Sequence, residues 1–175
     1  MNTVQAGELP SAALLNKYRQ AGAFTDCYFV DVPHRISQAE YVEAFYTTPL
    51  FKVERCLLAL FVRRHSSDLQ ARQLANGELD HFAAWRVEGR TVDQLLLCDF
   101  VGKTRSWLMS VAVEVGGARH TRLYFGSAVV PKRSGDSQEK AAFGFAFHAL
   151  SGFHAVYSRA LLRAARSRIN DAVMR

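Results

Sequence analysis

Residues 121–171 read TRLYFGSAVVPKRSGDSQEKAAFGFAFHALSGFHAVYSRALLRAARSRIND, and the change of texture inside that stretch decides the fold. Its first part is rich in aromatic and branched side chains and stops at Pro131, which reads as a strand closed by a residue with no N–H to donate. A polar connection, KRSGDSQ, follows, with Asp136 and Glu139 at capping-box spacing. From about 138 to 171 there is no proline, and Phe143, Phe147, Leu150, His154, Tyr157 and Leu161 recur at intervals of three and four residues. That spacing is a single apolar stripe on one long helix. A helix of this length finds enough apolar surface only by lying across a whole sheet.

Upstream, four runs at about 82–88, 93–100, 105–115 and 120–131 are separated by Gly89-Arg90, Val101-Gly102-Lys103 and Gly116-Gly117. In the third run Trp107, Met109, Val111 and Val113 alternate with Ser106, Ser110 and Glu114, blurred only by Leu108 and Ala112. The spacing predicts an antiparallel meander with one buried face, the face that carries Trp107 and Met109. DCYFVDVP, Asp26 to Pro33, reads as an earlier strand. Between it and the meander, Ser37 with Glu40 and Ser67 with Gln70 form capping boxes. Thr48-Pro49 starts a further helix with Leu50, Val53, Leu57 and Leu60 toward a core. Residues 1–24 are read as an N-terminal extension with a short helix bearing Leu14, Leu15 and Tyr18, stopped at Gly22. Residues 1–10 show no periodicity and are expected to fray. The remainder, 25–171, is one domain with five strands.

At 175 residues, with 49% hydrophobic and 22% charged side chains, the chain has the composition of one globular domain rather than of a disordered or low-complexity protein. No apolar run is long enough to span a membrane, and MNTVQAGELP has neither the basic start nor the apolar core of a signal peptide. Cys27, Cys56 and Cys98 are odd in number and contain no CxxC, which fits reduced, buried thiols in a cytoplasmic, bacterial-type domain. The net charge of +6 is concentrated at the end, where Arg159, Arg163, Arg166, Arg168 and Arg175 face only Asp171. Those arginines complement a helix C-terminus. They lack the interleaved aromatics of a nucleic-acid surface, so nucleic acid is not expected as a partner.

Metal and nucleophile chemistry are not expected from the spacing. The histidines, His34, His65, His81, His120, His148 and His154, make no HxH or HExxH. Ser127 sits in GSAVV, without a nucleophile elbow. No glycine-rich phosphate loop is present, and no cofactor is expected.

The order of elements, above all TRLYFGSAVVP running into the phenylalanine-rich helix, resembles the helix-grip fold of the START/Bet v1-like superfamily, also called polyketide cyclase-like. The resemblance covers about residues 25–170. It implies an α+β domain in which a curved antiparallel sheet wraps around a long C-terminal helix, with an apolar cavity between them. Members include lipid and hormone carriers, cyclases and partner-binding regulators, and they share no catalytic motif. Five strands are fewer than the superfamily's six or seven, which would leave the cavity shallow or open at one end. A cone-shaped fold of the nuclear-transport-factor type is the structural alternative, but it finishes on strands rather than on a long helix.

On this reading a small hydrophobic or aromatic ligand is held between sheet and helix. Trp85, Trp107 and Met109 would line the sheet side, and Phe143, Phe147, His154 and Tyr157 the helix side. Arg105 and Tyr124 would supply polar handles, which give apolar pockets their selectivity. A three-residue loop at Val101–Lys103 would set Asp99 directly opposite Arg105 as a structural pair at the rim. With a two-residue loop the two would point to opposite faces. Two other classes remain. One is a cyclase- or hydratase-like enzyme using His154, Tyr157 or Asp99 for proton transfer in the same cavity. The other is an interaction module built on the basic helix end. A homodimer is left open.

Overall fold

Strands β1 (Gln5–Ala6), β2 (Phe24–Val32), β3 (His81–Phe82), β4 (Trp85–Arg90), β5 (Gln94–Asp99), β6 (Thr104–Val115) and β7 (Ala118–Val129) pair in the order β1-β2-β7-β6-β5-β4-β3. Every pairing is antiparallel. Helix α1 (Asn16–Gln20) lies between β1 and β2, helices α2 (Gln38–Tyr46) and α3 (Asp68–Ala75) lie between β2 and β3, and α4 (Ser137–Val173) follows β7. This computed structural model describes residues 3–53, 55, 66–130 and 137–174, with backbone alone for 137–154. The chain is an α+β domain: a curved, open antiparallel sheet with a C-terminal helix against it, a helix-grip-like architecture.

Local chemistry explains the elements. Ser37 and Ser67 cap α2 and α3, each accepting from the N–H three residues on, while Glu40 and Gln70 return the bond. Thr48 Oγ1 accepts from Phe51 N at 3.2 Å, and the backbone is helical from 49. Val53, expected toward a core, is exposed; Leu57 and Leu60 lie outside the described residues. The meander's turns fall where glycines take positive φ, at Gly102 and at Gly116-Gly117.

The sheet is wider than the five strands expected, because two of its strands are two residues long. Neither leaves a periodic signature. β3 is split from β4 by a tight turn at Ala83, whose φ is 51°. β1 belongs to the stretch expected to fray, yet Gln5 pairs with Phe29 and Ala6 with Tyr28. These short strands are the two edges of the sheet, and β1 pairs with only Tyr28 and Phe29 of the nine residues of β2.

Both faces of the sheet are covered. On the inner face Val30, Val32, Leu95, Leu97, Leu108, Leu123 and Phe125 pack with Tyr41, Phe45 and Tyr46 of α2 and with Leu161, Leu162, Ala165 and Ile169 of α4. Helix α2 is also fastened by polar bonds: Tyr41 Oη donates to the Tyr124 carbonyl at 2.9 Å and Gln38 Nε2 to that of Leu108 at 3.1 Å. On the outer face Cys27, Leu96, Trp107, Met109 and Ala128 pack under Leu9, Ala13 and Leu15 of the N-terminal segment. Buried Gln94 ties that segment down. Its Oε1 accepts from Trp107 Nε1 and from Leu14 N, both at 2.9 Å, and its Nε2 donates to the Ala12 carbonyl at 3.1 Å. The segment from Leu9 to Tyr18 therefore acts as the second cover of the sheet.

That cover corrects the expected facing of β6. Trp107 and Met109 turn away from α4, and Ser106, Leu108 and Ser110 turn toward it. Alternation marks two faces but does not say which is the inner one when both are buried. Leu108, which blurs the pattern, is fully buried on the helix side.

The Asp99–Arg105 pair is corrected too. Cys98, not Asp99, lies opposite Arg105, a one-residue difference in register that sends the two side chains to opposite faces. Asp99 Oδ1 instead accepts from the N–H groups of Lys103 (2.8 Å) and Thr104 (3.1 Å), closing its own turn. Arg105 finds Glu88, at 2.7 Å, and Tyr18 Oη, at 2.8 Å, with its guanidinium over the Tyr18 ring. Glu88 reaches them because the β4–β5 register shifts between Val87 and Gly89, a bulge that re-aims one side chain. Lys17 and the Tyr18 hydroxyl also bond Glu88, so the cluster clamps α1 to the outer face.

Burial alone would raise the Glu88 pKa, but the bonds from Lys17 and Tyr18 and the Arg105 charge outweigh it and hold the carboxyl below its usual value. Its stabilising effect is therefore complete above about pH 4.3, the ordinary glutamate value, and is lost as pH falls through the lower folded-state value. A double-mutant cycle of Glu88→Ala and Arg105→Ala should give a coupling of about 1 kcal/mol at pH 7 that vanishes on acidification. The cycle of Asp99→Ala with Arg105→Ala should give none. Coupling in the second cycle and not in the first would reverse this assignment.

Candidate ligand-binding face

The inner face is mainly apolar, with Ser110 and Thr121 buried toward one end and a polar row near the start of β2. Asp26 pairs with Ser127 across β2–β7, and Ser127 pairs with Ser106 across β7–β6, so the three stand side by side on neighbouring strands. Alternation places them on the same face as Tyr28, Phe125 and Leu108. Asp26 Oδ1 accepts from Ser127 Oγ at 2.7 Å and from Ser127 N at 2.8 Å. From above, Tyr46 of α2 brings its hydroxyl to 3.4 Å from Ser106 Oγ. Ser106, Ser127 and Tyr46 are all buried. A buried polar row persists only when it is bonded, and each member here has a partner.

Burial, helped by the Asp26 charge, keeps the Tyr28 phenol beside the row protonated. The Tyr28 pKa is raised by burial first and then by the neighbouring Asp26 charge, and the Arg159 guanidinium, 5.4 Å over the ring, only partly opposes this. Tyr28 and Tyr46, Ser106 and Ser127, and the Asp26 carboxylate thus offer hydroxyl donors and an anionic acceptor. These groups stand beside Phe45, whose ring lies 4.9 Å from Phe125, and Phe82, 5.4 Å from Tyr46. Such a surface orients an apolar molecule through its polar end. No protein-family model, curated protein or solved structure matches this chain.

The residues expected to line a site divide between the two faces. Trp85 and Tyr157 pack against the inner core. Trp107 and Met109 belong to the outer core, with Tyr124 against it, and Arg105 is held in the Glu88 cluster. The side chains of Phe143, Phe147 and His154 lie outside the described residues. The inner row of Asp26, Tyr28, Tyr46, Ser106 and Ser127 was missed by the sequence reading. Its signal lies in Ser106 and Ser127, polar residues at inward positions two residues from Leu108 and Phe125.

An open groove of about 630 Å³ runs between α2 and the last turns of α4, away from the polar row. Ala44 and Ile169 lie in it beside Glu40, Glu43, Arg168 and Asp171. Among the described residues no cluster of histidine, cysteine, aspartate and glutamate has metal-binding geometry, and no helix is long and apolar enough to cross a membrane. Cys27 and Cys98 are buried, and burial pushes the Cys27 thiol up to about 12, which leaves it unreactive. Cys56 lies outside the described residues.

Proposed function

We propose that this chain is a START/Bet v1-like protein that holds a small hydrophobic or aromatic ligand between the inner face of the sheet and the C-terminal helix. The observation that carries the reading is the bonded row of Asp26, Ser127, Ser106 and Tyr46 set into an apolar, aromatic face. A purely structural core needs no such row, since apolar residues of the same shape would serve as well. Carriage is the reading because the row is set to orient a bound molecule through hydrogen bonds, and the Asp26–Ser127 contact at 2.7 Å is the pair that a turnover reading would have to use.

Native mass spectrometry of the purified protein, with titration by the neutral apolar dye N-phenyl-1-naphthylamine, tests this. The expected result is saturable dye binding that barely changes between low and high salt, and that weakens about three- to tenfold in the Tyr46→Phe, Ser106→Ala double variant. Absence of saturable binding would end the ligand-binding reading. The competing interaction-module reading rests on Arg159, Arg163 and Arg168, which are exposed along α4. It requires instead an anionic partner whose affinity falls steeply with salt.

A further inference from the structure

Among the described residues several buried polar atoms have no partner, and one of them, a donor, belongs to a strand of the inner face. The indole Nε1 of Trp85 is enclosed and makes no hydrogen bond. An indole N–H is a donor only, so nothing but an acceptor atom can satisfy it. Left unmet, it costs about 1–3 kcal/mol. The contrast with the other tryptophan is direct, because Trp107 Nε1 is met by Gln94 at 2.9 Å.

The register shows why Trp85 is left over. Its cross-strand neighbours on β3 and β5 are Phe82 and Asp99. The Phe82 side chain has no acceptor, and Asp99, whose Oδ1 takes the Lys103 and Thr104 N–H groups, makes no bond to the indole. The ring itself packs against the inner core that α4 also joins, and Phe82, its neighbour across β3–β4, belongs to an aromatic group with Tyr46 and Phe51.

We propose that the Trp85 N–H is the hydrogen-bond donor for the bound molecule, and that the ligand is therefore an aromatic or alicyclic compound bearing a neutral acceptor oxygen, of the ketone, ester or ether class. This rests on the ligand-binding reading above and narrows it. A plain hydrocarbon would leave the indole donor unmet, and so would an aliphatic chain with no acceptor along it.

The probes are 2-acetylnaphthalene and 2-ethylnaphthalene, alike in shape and differing in the carbonyl, titrated calorimetrically against the wild-type chain and Trp85→Phe. The wild type should favour the ketone about tenfold, and Trp85→Phe should reduce that preference to twofold or less while still binding the hydrocarbon. Equal affinity for both probes in the wild type overturns the inference, and would mean that a water already satisfies the donor. A preference that survives in Trp85→Phe also overturns it and moves the acceptor to another donor. In either case continued binding of N-phenyl-1-naphthylamine leaves the ligand-binding reading standing. If the dye fails to bind as well, that reading falls with this one.

Discussion

Trp107→Ala is expected to lower stability by about 4 kcal/mol while leaving the affinity for an apolar ligand on the helix side unchanged. The ring is fully buried on the outer face, under Leu9, Ala13 and Leu15, and its loss removes both a large packed volume and the donor that meets Gln94. Gln94 Oε1 would keep Leu14 N, so the polar penalty is partial and the cavity dominates. Urea denaturation reads the stability, and dye titration of the folded protein reads the affinity. Trp107→Phe supplies the milder comparison, keeping a ring but not the N–H, at about 1–2 kcal/mol. If either variant weakens the dye while stability holds, then Trp107 faces the ligand and the two-faced core described above is wrong.

Gly126→Ala should cost about 3 kcal/mol, which is large for one added methyl group. No unusual φ is involved. A Cβ there would stand 2.8 Å from the Asp26 carbonyl oxygen, 3.0 Å from Trp107 Cε3 and 3.2 Å from Leu15 Cδ2. The two side chains could give way, but the carbonyl belongs to the β2–β7 ladder and moves only with the strand. Adding Leu15→Ala to Gly126→Ala should therefore recover none of the loss, since it opens a cavity without relieving the backbone contact. Denaturant midpoints decide it, and a cost below about 0.5 kcal/mol for Gly126→Ala would show that β2 and β7 separate easily at this point.

The sequence legibly encodes what repeats. Four long runs and the aromatic stripe of the last helix are periodic over many residues, and β4 to β7 and α4 lie where those periods put them. The capping boxes at Ser37 and Ser67 are local chemistry and were equally readable. Two-residue strands have no period to detect, so β1 and β3 were invisible. Facing and register failed for a different reason. Alternation in β6 is symmetric between the two faces, and only the position of Leu15 and its neighbours, far away in sequence, breaks the tie. Asp99 illustrates the same limit at short range, since a carboxylate that closes its own turn and one that reaches across a hairpin look alike in the sequence. The inner polar row joins residues from 26 to 127, and no local pattern connects them.

The position of β2 has a kinetic consequence. Its long ladder is with β7, Asp26 meeting Ser127 about a hundred positions later, while β4 to β7 each pair with a neighbour in sequence. Chain closure over that span is entropically dearer than closing a hairpin, and contacts so far apart slow folding. Until β7 is in place, β2 has only the two residues of β1 beside it. The meander can therefore assemble early as a self-contained nucleus with one open flank, and the rate at which the domain becomes whole is set by how fast one distant strand finds that flank.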